Sequence, residues 1–216
     1  MNRLLIATTN PAKLAEYRLL LRQMDLDLEL ISLADAGITE VPEETGETFH
    51  DNALAKAHFY FERADFPTLA DDGGLEVDAL GGAPGVRSHR WLGSESSTDR
   101  ALAEEVIRRM EGVEKPRRTA RIRAAIALIY KQNQNDGAVR EVVAEDAIEG
   151  LIAPRAYPEI RRGFPYRAVL WLRELSCYLG ELGENEEARL SQRRKALLRL
   201  RGDLEMVASQ APRPLS

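Results

Sequence analysis

Three features of the chain predict an α/β protein built on a mixed β-sheet. Strand-like and helix-like stretches are interspersed along the sequence instead of segregated. The run Leu4-Leu5-Ile6-Ala7 is continuously apolar, as a strand buried on both faces is. Two long alternating stretches flank the turn-rich Asn133-Gln134-Asn135-Asp136-Gly137, which signals an antiparallel hairpin. The first strand breaks at Thr8-Thr9-Asn10-Pro11, after which Leu14, Tyr17, Leu20, Leu21 and Met24 recur at helical spacing. Asn10 suits the N-cap, and Pro11 suits the first helical position, where no backbone N–H is needed. A second strand is predicted over Leu28 to Ile31. Beyond the loop containing Pro42 and Gly46, a helix is predicted from Thr48 to Arg63. Leu69 and Ala70 lead to a strand end at Asp71-Asp72, and a glycine-rich segment then runs to Gly85. Thr98 to Met110 reads as an amphipathic helix. The hairpin strands are Ala120 to Leu128 and Val139 to Ile148. A strand at Ala168 to Leu172 and a helix from about Glu186 onward complete a single domain over residues 1–210, with 211–216 as a flexible tail.

Composition narrows the function classes. With 216 residues, 44% of them hydrophobic, the chain can bury a sizeable core, which excludes a disordered protein. A net charge of −5 argues against a general nucleic-acid binder. No apolar run approaches the ~18 residues that a membrane span needs, and the short apolar start after Met1-Asn2-Arg3 is no signal peptide. The lone Cys177 excludes an internal disulfide, and no Cys/His cluster is spaced for zinc, so a reducing cytoplasmic location is expected. His50, His58 and His89 are scattered without a nearby nucleophile.

Three segments carry candidate chemistry. Thr8 to Lys13 joins a strand end to an open helix N-terminus, where unpaired N–H groups and the dipole favour an anion and Lys13 adds charge. Taken alone, the segment reads better as a capped helix start with a solvated lysine. In Glu43-Glu44-Thr45-Gly46-Glu47-Thr48-Phe49, with Asn52 and Lys56 following, the four-residue spacing of Asn52 and Lys56 puts them on one helix face. The densest signal is Ala70-Asp71-Asp72-Gly73-Gly74 through Gly81-Gly82-Ala83-Pro84-Gly85-Val86. Adjacent carboxylates call for a cation or donors, and Mg²⁺ is a cation that takes one or two protein carboxylates plus phosphate oxygens. Glycines such as Gly73 beside them permit close backbone approach to a ligand.

In that order and spacing, the three segments resemble the Ham1-like family of inosine/xanthosine triphosphate pyrophosphatases. The resemblance implies an elongated mixed sheet flanked by helices, two lobes with a nucleotide cleft between them, and a homodimer. It also implies Mg²⁺-dependent hydrolysis of a deaminated purine nucleoside triphosphate (ITP, dITP or XTP) to the monophosphate and pyrophosphate. Carried over by position, Thr8, Thr9, Asn10 and Lys13 would cradle phosphates, while Glu44 and Asp72 would hold the metal. Asp72 would also activate or orient water, with Asp71, Asn52 and Lys56 supporting that geometry. The C-terminal half departs from the family pattern. Gly73 stands where a serine is usual, and Gly-Phe-Gly-Tyr-Asp-Pro is replaced by Gly163-Phe164-Pro165-Tyr166-Arg167-Ala168. Ser191-Gln192-Arg193 replaces Ser-His-Arg, and Glu187 aligns with an expected lysine. Phe164 is retained to stack on a base and Tyr166 is kept, while Gln192 and Arg193 are left to contact base or phosphate. Arg167 puts a charged donor where the pattern has an acceptor. Altered base choice on the same scaffold, or nucleotide binding without turnover, are the alternatives these departures leave open.

Overall fold

The first strand, β1 (Asn2–Ala7), runs between two parallel neighbours, which is why Leu4 to Ala7 are buried and continuously apolar. The computed structural model describes residues 2–93, 98–132 and 137–210. Helix α1 (Pro11–Gln23) follows β1, and the Asn10 side chain caps it by accepting from the N–H groups of Ala12 and Lys13. Strand β2 (Leu28–Ser32) pairs parallel to β1 at one sheet edge. Helix α2 (Phe49–Ala64) begins one residue after Thr48, whose hydroxyl accepts from the Asp51 N–H as its N-cap.

Strand β3 (Thr68–Val77) corrects the predicted strand end, since Asp71-Asp72 lie in mid-strand and Gly73-Gly74 continue it. The glycines are demanded by internal packing. A Cβ on Gly73 would lie 2.4 Å from the Arg123 carbonyl oxygen, and one on Gly74 would lie 2.0 Å from the Ser88 hydroxyl. The approach expected between Gly73 and a ligand is therefore an approach to the protein's own backbone.

Helix α3 (Asp99–Arg109) is capped by Thr98. Strands β4 (Thr119–Lys131) and β5 (Val139–Ile152) are neighbours in the sheet. The Gln132 N–H bonds to the Ala138 carbonyl, and at the other end the Ile152 N–H bonds to the Arg118 carbonyl, the antiparallel sense the alternation predicts. The predicted turn residues Asn133 to Asp136 and the tail 211–216 lie outside the described residues. Strand β6 (Leu170–Leu172) starts two residues later than expected because Pro165–Ala168 is a 3-10 turn, and β7 (Cys177–Tyr178) adds a short antiparallel edge. The single C-terminal helix expected from Glu186 is three: α4 (Glu184–Leu190), α5 (Gln192–Arg199) and α6 (Arg201–Ser209). Ser191, with ψ 127, and Leu200, with ψ 4, interrupt the helical path.

The seven strands are ordered β2-β1-β3-β4-β5-β6-β7, parallel around β1 and antiparallel from β5 to β7, so the sheet is mixed as predicted. The chain divides into two compact units. Unit 1 comprises residues 1–72, 125–145 and 193–216, and unit 2 comprises 73–124 and 146–192. Leu5, Tyr17, Leu20, Tyr60, Leu69 and Ile126 are buried in the first; Leu75, Val106, Met110, Val169 and Leu170 belong to the core of the second. Among the described residues, no helix is long and apolar enough to cross a membrane.

Candidate active site

Successive strand residues face opposite sides of a sheet, so neighbouring Asp71 and Asp72 in β3 do not share an environment. Both lie in unit 1. Asp71 is buried, and Lys13 Nζ bridges its two oxygens at 3.1 and 3.2 Å. Arg193 donates to Asp71 Oδ2 through Nε at 3.1 Å and Nη2 at 2.9 Å, and its Nη1 reaches Glu16 Oε2 at 3.2 Å. Burial works to raise the Asp71 pKa, but Lys13 and Arg193 outweigh it and hold the carboxyl well below the usual carboxylate range. Lys13 itself is pushed down by burial despite its partner. Asp71 is thus a fixed anion that orients two cations.

Asp72 faces α2. Asn52 Nδ2 donates to its Oδ2 at 3.0 Å, and Lys56 Nζ lies 3.4 Å from its Oδ1. Burial pushes the Asp72 pKa up, and the opposing pull of Lys56 and Lys13 does not cancel it. Asn52 also accepts from the Gly46 N–H at 2.8 Å, tying the loop before α2 to the same carboxylate. A Cβ on Gly46 would fall 2.6 Å from Asn52 Oδ1, so only glycine fits there. Lys56 Nζ donates to Glu44 Oε1 at 2.8 Å. The Asn52–Lys56 helix face read from the sequence is therefore real, and it meets Glu44 and Asp72 together.

Two adjacent carboxylates whose environments drive their pKa values apart have different chemical uses. Asp71 stays ionised and structural to the cluster, while Asp72 is the better proton acceptor of the two. The cations and donors that adjacent carboxylates call for are present: Lys13 and Arg193 contact Asp71, Asn52 and Lys56 contact Asp72, and the fields of Lys13 and Lys56 reach both.

Among the described residues, no group of three or more His, Cys, Asp and Glu side chains is placed to hold a metal. Glu44 and Asp72, however, converge on one cationic position, now served by Lys56 Nζ. Two hard oxygen donors fit a small divalent cation that fills its shell with water and phosphate oxygens, and do not fit an all-protein cage. Lys13, Lys56 and Arg193 face Glu16, Glu44, Asp71 and Asp72.

Of the remaining predicted residues in unit 1, Thr8 accepts from the Asn10 N–H at 3.2 Å, Asn10 is spent on capping α1, and Thr9 is exposed. Arg193, read from the sequence as a contact for base or phosphate, is buried and bound to Asp71 and Glu16. Glu16 escaped the sequence reading, although its place three residues after Lys13 puts both on one face of α1.

Unit 2 holds the rest. The Gly163 N–H donates to Asp99 Oδ2 at 2.8 Å, and the Tyr166 hydroxyl donates to the Ser88 carbonyl at 2.5 Å, so Tyr166 is committed to the protein itself. Gln192 is buried at the start of α5. Arg167 does not stand as an open donor. It is buried, paired with Glu187, and its guanidinium lies 3.5 Å from the Phe164 ring centroid. The resemblance leads one to expect an acid at 167 and a lysine at 187; the residues present, Arg167 and Glu187, pair with each other.

The family model described as the Ham1 family matches residues 4–202. The chain is 37% identical over 205 residues to a dITP/XTP pyrophosphatase of Bacillus subtilis, covering 95% of this chain and 98% of that one. Among solved structures, a HAM1 protein from Coxiella burnetii superposes with a TM-score of 0.78 at 33% identity, covering 94% of this chain and 98% of that one. A dITP/XTP pyrophosphatase from Mycobacterium abscessus gives a TM-score of 0.70 at 35% identity, over 92% and 98%.

Proposed function

The chain belongs to the Ham1 family, and we propose that it is a nucleoside triphosphate pyrophosphatase acting on the deaminated purine nucleotides ITP, dITP and XTP. The products are the monophosphate and pyrophosphate, so the bond broken joins the α-phosphorus to the oxygen bridging to the β-phosphorus. The observation that carries this reading is the split between Asp71, locked as an anion between Lys13 and Arg193, and Asp72, raised by burial beside Glu44. Asp72 draws the proton from the water that attacks the α-phosphorus, and Asn52 and Lys56 hold its carboxylate in place. Lys13 and the N-terminus of α1, framed by Thr8, Thr9 and Asn10, receive phosphate charge. Asp71 and Arg193 keep Lys13 on that side.

Mg²⁺ is the cation proposed for Glu44 and Asp72, where it would neutralise phosphate charge and lower the pKa of bound water. The reading extends to a cytoplasmic homodimer with one domain over residues 1–210, acting on free nucleotides and not on nucleic acid or membrane. The family match over residues 4–202 and the net charge of −5 support it. The Arg167–Glu187 pair favours a second reading of base choice, in which the enzyme prefers a base outside this set.

A panel of ITP, dITP, XTP, ATP, GTP and modified triphosphates, assayed for pyrophosphate with Mg²⁺ and with EDTA, tests both. Preference for the deaminated purines with Mg²⁺ and silence in EDTA is expected. Pyrophosphate from none of them contradicts the enzyme reading, and preference for another base selects the second.

A further inference from the structure

Residues 38–46 form neither helix nor strand, yet this segment of unit 1 carries Glu44. Side chains of α2 reach it in reverse chain order. Asn52 Oδ1 accepts from the Gly46 N–H at 2.8 Å, Lys56 Nζ donates to Glu44 Oε1 at 2.8 Å, and Arg63 Nε lies 3.8 Å from Glu40 Oε1. At i, i+4 and i+11, Asn52, Lys56 and Arg63 share one side of the helix. One helical turn separates Asn52 from Lys56 by about 6 Å, and two extended residues separate Gly46 from Glu44 by about 7 Å, so the spacings match. Four residues further from Glu44, the segment meets the last turn of α2 at Glu40. Arg63 is held in place there by its own helix. Its guanidinium covers the Phe59 ring at 3.4 Å from the centroid, and its Nη1 donates to the Phe59 carbonyl at 2.8 Å. A guanidinium already fixed gives up little freedom on meeting a carboxylate, and that lost freedom is what makes most surface ion pairs weak.

We propose that Arg63 is a positioning residue for Glu44: by holding Glu40 it keeps residues 40–46 laid along α2, so that Glu44 stays beside Asp72. This assignment rests on the divalent cation proposed above for Glu44 and Asp72. A carboxylate on an unanchored segment loses backbone freedom as the cation binds, whereas on an anchored segment that freedom is already lost. Arg63 touches neither Glu44 nor Asp72, so it acts on the concentration of cation required and leaves the chemical step alone.

The test compares wild type with Arg63→Ala, Arg63→Glu and the double variant Glu40→Arg/Arg63→Glu. Hydrogen–deuterium exchange is followed over residues 38–46, and pyrophosphate release from dITP is titrated with Mg²⁺. In Arg63→Ala, exchange over 38–46 is expected to quicken about 2- to 5-fold, the range for loss of one exposed ion pair. The half-saturating Mg²⁺ concentration should rise by a similar factor, with kcat at saturating Mg²⁺ within about twofold of wild type. Arg63→Glu should go further in both, because it sets a like charge against Glu40. The double variant, which restores an ion pair with the charges reversed, should return both towards wild type. Weakening of α2 itself would instead quicken exchange along the whole helix and escape that rescue. Unchanged exchange over 38–46, failure of the double variant to rescue, or a fall in kcat at unchanged Mg²⁺ dependence overturns the positioning assignment alone. A wild-type protein that releases pyrophosphate from no triphosphate overturns the functional reading, and the role of Glu44 with it.

Discussion

Asp71 and Asp72 are adjacent in sequence and opposite in electrostatic fate, so their substitutions should diverge. The Asp72 pKa is raised in the folded state, which means that ionising it opposes folding above that pKa and costs nothing below the unfolded value of about 3.9. Asp72→Asn should therefore raise the melting temperature at pH 8, leave it unchanged near pH 3, and still lower kcat by about 10²- to 10⁴-fold as general-base loss does. Melting curves at the two pH values, paired with rates, check this; a lower melting temperature at pH 8 would show that the buried charge is not strained. Asp71 has the reverse sign. Its depressed pKa supplies stability that is present above about pH 4 and fades as pH falls through the folded value. Asp71→Asn leaves Lys13 and Arg193 facing a neutral amide in place of a carboxylate. About 3–5 kcal/mol of stability should be lost at pH 7, measured by urea unfolding. A loss under 1 kcal/mol would mean that the two cations find other partners.

At the scale of elements, β3 joins the chemistry to the fold, because it carries both carboxylates and then two glycines that let β4 and Ser88 come close. Gly73→Ser, which restores the residue of the family pattern, should destabilise this chain by about 1–3 kcal/mol, since the new Cβ meets the Arg123 carbonyl at 2.4 Å and backbone must move. An unchanged urea midpoint would contradict that packing argument. The same strand shows where the sequence was legible. The apolar run of β1, the Asn10 cap and the Asn52–Lys56 face rest on local periodicity and capping, and each is found as read. The glycines beside Asp72 misled because glycine signals close approach without naming what approaches. The predicted C-terminal helix became three because Ser191 and Leu200 break it through backbone angles that their residue types do not advertise. Arg193 reads from the sequence as a contact for base or phosphate, whereas its partners Asp71 and Glu16 lie 122 and 177 positions away in the chain, a pairing no local pattern carries.

For the whole molecule, the proposed substrate is polyanionic and must approach the carboxylates Glu44, Asp71 and Asp72, so a divalent cation is expected to accompany it. Removing divalent ions with EDTA should abolish turnover without unfolding the protein, because Lys56 Nζ contacts both Glu44 and Asp72 and offsets their charge. Circular dichroism before and after chelation reports the second half of that expectation, and loss of secondary structure would contradict it. The most direct measurement of the central claim compares wild type and Asp72→Asn at saturating dITP and Mg²⁺, with products identified. The account predicts dIMP and pyrophosphate from the wild type and a rate at least about a hundredfold lower from the variant. Equal rates, or orthophosphate as the first product, would contradict it.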